Sequence, residues 1–186
     1  MKFWTIQTKR VVEVIKEKGI YQPNFNQSRY LEINHDLNSL YLFIIQSFNQ
    51  VNKTDLPGIV FAFAKSEGNM IYEINTFDEF KMFIKSKKRV IEGFWNNLDM
   101  NNHIIIELNY EVDFNPMYVD INDFQFIMPP ITIFHPYTLE SVYNIIDDIS
   151  MGKFTVSVFQ SNVIQVHLPN IKEKNVLNIY PLFDID

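Results

Sequence analysis

Polar and apolar residues alternate most regularly between His103 and Tyr110. His103, Ile105, Glu107 and Asn109 interleave there with Ile104, Ile106, Leu108 and Tyr110, the two-residue period of a β-strand. One face is wholly apolar, and the other mixes His, Glu and Asn with a single Ile. Shorter extended runs occur at Met1–Gln7, Ile59–Ala64, Met70–Ile74, Met117–Val119, Ile131–Phe134, Lys153–Phe159, Val163–Leu168 and Leu177–Phe183. Ser66-Glu67-Gly68-Asn69 joins the second and third of these as a hairpin. Phe124–Met128 is apolar but runs into Pro129-Pro130, which removes two donors and assigns it to an edge strand or a covered loop.

A helical period marks four other segments. Thr8 caps Lys9–Lys18, with Val11, Val12, Val14 and Ile15 clustered and Gly19 as its stop. Lys9 and Arg10 oppose the dipole in its first turn and call for other partners. Asp36 caps Leu37 to about Gln50, which is apolar nearly all round and so reads as buried. Thr76-Phe-Asp-Glu79 is a capping box that opens a third helix with a stripe of Phe77, Phe80, Phe83, Ile84, Ile91, Phe94 and Trp95. Thr138 caps a fourth, Leu139 to about Ser150, stopped by Gly152. Ile20–Asn34 has no clean period and reads as a long, amide-rich loop of the kind that often carries binding residues. Four helices among seven to nine strands, without strict β-α-β alternation, predict an α+β fold with a mixed, mostly antiparallel sheet.

Composition narrows the function classes. A chain of 186 residues, 47% hydrophobic and 15% aromatic, suits a single domain over 1–186 with a ring-filled core. A net charge of −6 opposes nonspecific duplex binding, and the basic run Lys85–Arg89 reads as a solvated helix face. With no cysteine, thiolate nucleophiles and Cys-based metal sites are excluded. That lack, with no leader and no apolar run near the ~20 residues that span a bilayer, points to the cytoplasm and away from membranes. No Gly-rich phosphate loop, G-x-S-x-G elbow or H-E-x-x-H pair occurs. His35, His103, His135 and His167 lack ligand spacing, and Asp120, Asn122 and Asp123 fit a capped turn as well as a hard-cation site, so no metal is expected. Glu107, flanked by Ile106 and Leu108, is the carboxylate best placed for a raised pKa; a glutamate on the solvent face of a sheet is the competing reading.

Two resemblances add to this. MKFWTIQ, IVFAFAK, YVDINDFQFIMPP and VIQVHLPNI with NIYPLF resemble an uncharacterised family of bacterial and phage proteins that opens with a Leu-Trp-Thr-Ile-Gln-type strand, over essentially the whole chain; that family carries no assigned activity. Trp4-Thr5 before a helix ending Lys18-Gly19-Ile20, together with Val163–Pro169, resembles the DNA-targeting ADP-ribosyltransferases. His167 falls here where their catalytic glutamate stands, and Phe3 or Trp4 where their first-motif His or Arg stands.

That second resemblance implies a degenerate transferase-like enzyme or a binder of NAD or another nucleotide. Trp4, Thr5, Gln7 and Gln165 would line its pocket, Arg29 or Tyr30 would engage phosphate or stack on a ring, and His167 or Glu107 would be the catalytic group. It requires the first and late strands to lie side by side around a concave pocket. The alternative is a noncatalytic protein-binding module in bacterial or phage conflict, with an exposed aromatic patch, no convergent polar pocket, and a homodimer or heteromeric complex.

Overall fold

Thr8 ends a strand and Lys9 begins a helix with nothing between them, so the first helix doubles straight back over the sheet its own strand enters. The computed structural model describes residues 1–27, 38–67, 70–111, 113–120 and 162–186. In chain order these form β1 (Lys2–Thr8), α1 (Lys9–Lys18), β2 (Ile20–Tyr21), α2 (Asn38–Asn52), β3 (Val60–Glu67), β4 (Met70–Tyr72), α3 (Phe77–Ser86), α4 (Lys88–Trp95), β5 (His103–Asn109), β6 (Met117–Asp120), β7 (Val163–Leu168), β8 (Ile171–Lys172) and β9 (Val176–Pro181). The fold is α+β, as expected. The main sheet runs β6-β7-β3-β1-β5-β9 with β4 on β3, and every pairing is antiparallel. β2 and β8 form a small second sheet.

Both faces of the central strands are covered. On one, Phe3, Val60, Ala62, Ile104, Ile106, Leu108, Ile164 and Val166 pack with Val11 and Ile15 of α1. On the other, Trp4, Phe63, Ile105 and Val163 meet Phe80 and Ile84 of α3 and Ile91 and Trp95 of α4. Beside that layer α2 adds Tyr41, Ile44, Ile45 and Phe48, packed on Phe25 and Ile59. The polar face expected for His103–Asn109 is covered at its centre, where Ile105 is 0% and Glu107 3% exposed, while His103 is half-buried and Asn109 exposed at its ends.

The helix ends follow local chemistry, with corrections. Gly19 closes α1 at φ 74°, a left-handed conformation that costs a side-chain-bearing residue about 1–2 kcal/mol. Thr8 takes the N-cap position without a side-chain bond. Lys9 N–H donates to Asn102 O at 2.8 Å, and Arg10 finds its partners in Glu13 and Glu17 at 2.8 and 3.6 Å.

Thr76 Oγ1 accepts from Glu79 N–H at 3.1 Å. The Glu79 carboxylate returns to Asn75 N–H and pairs with Lys65 at 2.6 Å, so the box closes one residue early. The single helix expected over 77–95 is two. Lys87 leaves helical geometry at φ −107°, ψ 17°, where the Ser86 hydroxyl competes for Phe83 O at 2.7 Å. The Lys85–Arg89 run lies at this break, with Lys85 and Lys88 reaching Asp186. The expected strands and helix over 124–159 lie outside the described residues, as does much of the Ile20–Asn34 loop. The described part of that loop supplies β2 and a 3-10 turn at Phe25–Gln27.

Trp4 joins the layers. Its indole stacks on Phe80 at 4.8 Å and 9°, and Nε1–H donates to Ile74 O at 2.8 Å. Replacing it with alanine is expected to lower the unfolding free energy by about 3–5 kcal/mol, measured by urea denaturation. A loss under about 1 kcal/mol would fit a peripheral ring instead.

Candidate functional site

β1 pairs with β5 along its whole length, from Lys2–Asn109 to Thr8–His103, and β3 pairs with β7 from Val60–Leu168 to Lys65–Val163. Between them, β1 and β3 meet in register only at Trp4 opposite Phe63. Past that point side chains take over from the ladder. Thr5 Oγ1–H donates to Phe61 O at 2.6 Å, and Gln7 Nε2–H donates to Thr5 Oγ1 at 2.9 Å. The sheet is held together there but parted, and a cavity of about 490 Å³ lies between the end of β1 and the start of β3.

Its walls come from four directions. Ile6 and Gln7 of β1 face Val60–Phe63 of β3, with Gln165 from β7 and His103 from β5. Tyr41 of α2 stands on one side, Phe94 and Leu98 on the other, and Tyr21 to Gln27 contribute a rim. Phe25 stacks on Phe61 at 5.9 Å and 12° and meets the Tyr41 ring edge-on at 4.8 Å. The rim is pinned: Phe25 N–H donates to Pro57 O at 2.9 Å, and Gln22 Nε2 bridges Gly58 O and Pro169 O at 2.9 and 3.1 Å. A Cβ at Gly58 would lie 2.7 Å from Pro23 O and 3.0 Å from the Phe25 ring, so only glycine lets the rim close on β3.

The wall carries no Lys, Arg, Asp or Glu among the described residues; its polar side chains are mainly the amides of Gln7, Asn24, Gln27, Asn102 and Gln165. Gln165 is 4% exposed. Its Oε1 lies 3.1 Å from His167 Nε2, while its Nε2 has no partner among the described residues. An unpaired buried donor costs about 1–3 kcal/mol.

The expected site residues divide. Gln7 and Gln165 line the cavity. Trp4 and Thr5 are fully buried, one spent on Ile74 and the other on Phe61, so neither forms its wall. Arg29 and Tyr30 lie outside the described residues. The first and late strands are not side by side, because β3 runs between them; the cavity draws on both only because β1 and β3 part.

His167 is 2% exposed and lies edge-on to Phe61 at 5.3 Å and 80°. Burial pushes its pKa down to about 3, and it is not part of the cavity wall. Glu107 overturns the expected raised pKa. Burial does push its carboxyl up, but Lys2 at 2.8 Å, Asn178 at 2.8 Å and Tyr180 at 3.2 Å outweigh that and hold it below the ordinary glutamate value.

The rings of Tyr41, Phe61 and Phe94 were not foreseeable as a wall, since each reads as core; the amide-rich loop was the one sequence signal toward Asn24, Phe25 and Gln27. Among the described residues no cluster of three His, Asp or Glu is placed to hold a metal ion, and no helix is long and apolar enough to cross a membrane. No protein-family model, curated protein or solved structure matches the chain.

His167 and Glu107 give different pH windows, which overlap below pH 4.5. Below pH 6.5 the unfolded chain gains a proton at His167 that the folded one refuses until about pH 3. Stability is therefore expected to fall on acidification by roughly 1 kcal/mol per pH unit across that range. Glu107, whose folded pKa is depressed, contributes stability above its ordinary value of 4.5 that is lost as pH falls through the folded one. Melting curves from pH 7 to 3 should lose slope from pH 6.5 down to about 3 in His167→Asn and, additionally, below pH 4.5 in Glu107→Gln. An unchanged slope in either variant would contradict that assignment.

Proposed function

We propose that this domain binds a small, neutral molecule built around a planar hydrogen-bonding ring, of the size and kind of a nucleobase or nucleoside. The observation that carries this reading is the wall: stacked and edge-on rings from several elements, interspersed with five side-chain amides and no formal charge. Bases are held by aromatic stacking and by amide hydrogen bonds to their edges. The volume of about 490 Å³ falls within the range of roughly 300–1,000 Å³ of small-molecule sites.

Phosphates, by contrast, call for arginine, lysine or a helix N-terminus. The lining supplies no lysine or arginine among the described residues, and at the α1 N-terminus beside Thr8 the Lys9 N–H is already given to Asn102 O, so of the nucleotide-binding readings the wall favours a nucleoside over intact NAD. It also favours binding over ADP-ribosyl transfer, since neither Glu107 nor His167 is part of it. The protein-binding alternative calls for an exposed aromatic patch. The exposed large apolar residues described here are Met1, Leu42, Val51, Met70, Met82, Met100, Leu177 and Ile179, none of them aromatic.

Melting scans with millimolar uridine, cytidine, inosine, adenosine and NAD⁺ test the reading. A nucleoside at 100 times its dissociation constant adds about 2.7 kcal/mol and should raise the midpoint by roughly 5–10 °C. Leu98→Trp, which fills the cavity from one side, should abolish the shift while leaving the unliganded protein folded. No shift with any nucleoside would overturn the reading.

A further inference from the structure

At one margin of the main sheet β9 presents an open edge, far from the parted strands. We infer that two copies of this chain pair through that edge, β9 against β9 in an antiparallel, two-fold register centred on Ile179, to form a homodimer with one continuous sheet. This goes beyond the nucleoside reading above and is independent of it.

β9 pairs with β5 on one side and ends the strand order on the other. Among the described residues none of its backbone groups bonds outside that ladder. Leu177, Asn178 and Ile179 are exposed, the two apolar ones at 43% each. Val176–Pro181 carries no charged side chain, although a lysine is a common device for keeping an edge strand unpaired. Two other devices are present, and they frame the open stretch. A register shift opposite Glu107 and Leu108 leaves Leu177 as a bulge, and Pro181 has no N–H to give. Between them lies Asn178–Tyr180, with Ile179 at its centre.

Charge marks the same centre. Lys174 and Asp184 flank the strand, equally far from Ile179 in sequence. Both are exposed, and neither forms an ion pair among the described residues. Asp186, by contrast, is already held by Lys85 and Lys88. An antiparallel copy runs basic end to acidic end and brings Lys174 of each chain toward Asp184 of the other, whereas a parallel copy would set like charges together. About this centre Ile179 meets its own counterpart and Leu177 meets Pro181. Pairing with Ile106 and Ile104 sets Ile179 and Pro181 on one face, so the two strands join in an apolar row that each chain alone leaves in water. A two-fold contact uses the same strand on both copies, so assembly stops at two.

Analytical ultracentrifugation of the full chain, from micromolar to near-millimolar concentration, tests this. The sedimenting mass is expected to pass from one chain to two. Ile179→Lys, at an exposed position, should leave the dilute protein's melting point unchanged and abolish the dimer, since two ammonium groups would face each other at its centre. Lys174→Asp and Asp184→Lys should each weaken association roughly tenfold, because the two-fold repeats every like-charge contact. Mixed in equal amounts, those two variants should associate again, as each then offers the charge that the other lacks. A chain that stays monomeric throughout overturns the inference and leaves the edge to a strand of another protein. So does a dimer that survives Ile179→Lys, or one whose strength is the same in the single charge variants and in their mixture. Growth beyond two copies would overturn the two-fold register.

Discussion

The Thr5 hydroxyl on the Phe61 carbonyl is the contact on which the architecture of the site depends. A central strand normally satisfies its backbone through ladders on both sides, and buried carbonyls are rarely left unpaired. β1 has a full ladder with β5 and a single register point with β3. A side-chain oxygen reaches farther than a backbone N–H, so one threonine satisfies Phe61 O while keeping the strands apart. The parted strands become the floor of a cavity, and the sheet remains one sheet.

Burial on both faces makes every polar side chain inside the sheet informative, because each must be paired or bear the cost of desolvation. Glu107 is paired three ways, to Lys2, Asn178 and Tyr180, and ties the first, fifth and ninth strands together. A carboxylate with its bonds filled and its pKa held down has the properties of architecture. Gln165 is paired through one atom and unpaired through the other, at the edge of open volume. Incomplete pairing alone does not mark the site, since Ser66 Oγ and His167 Nδ1 also lack a partner among the described residues and line no part of the wall.

The rim shows how backbone geometry prepares that volume. Gly58 permits Pro23 and Phe25 to approach β3 within a distance no Cβ would tolerate, and Gln22 secures the approach on two carbonyls. A wall built in advance spares a ligand the entropy of ordering it. The aromatic faces of Phe25, Phe61 and Tyr41 are set at their mutual angles by the packing of α2.

Read alone, the sequence determined the parts whose causes lie within a few residues. The strand at His103–Asn109 follows from alternation, α1 from its apolar cluster and Gly19, and the start of α3 from Thr76 and Glu79; the α+β class follows from their order. Interruption of the third helix at Lys87 was less legible, since no glycine or proline marks it and the Ser86 side chain decides it.

Tertiary structure alone decided which faces were covered, and with that the chemistry. The pKa of Glu107 turns on a lysine 105 residues away in sequence, so a prediction from its apolar neighbours had the sign reversed. His167 and Gln165 look alike as candidates in the chain, but only one is part of the cavity wall. Local periodicity is set by neighbours at fixed spacing, whereas strand order and the parting of β1 from β3 are set by contacts between distant segments, which leave no period in the chain.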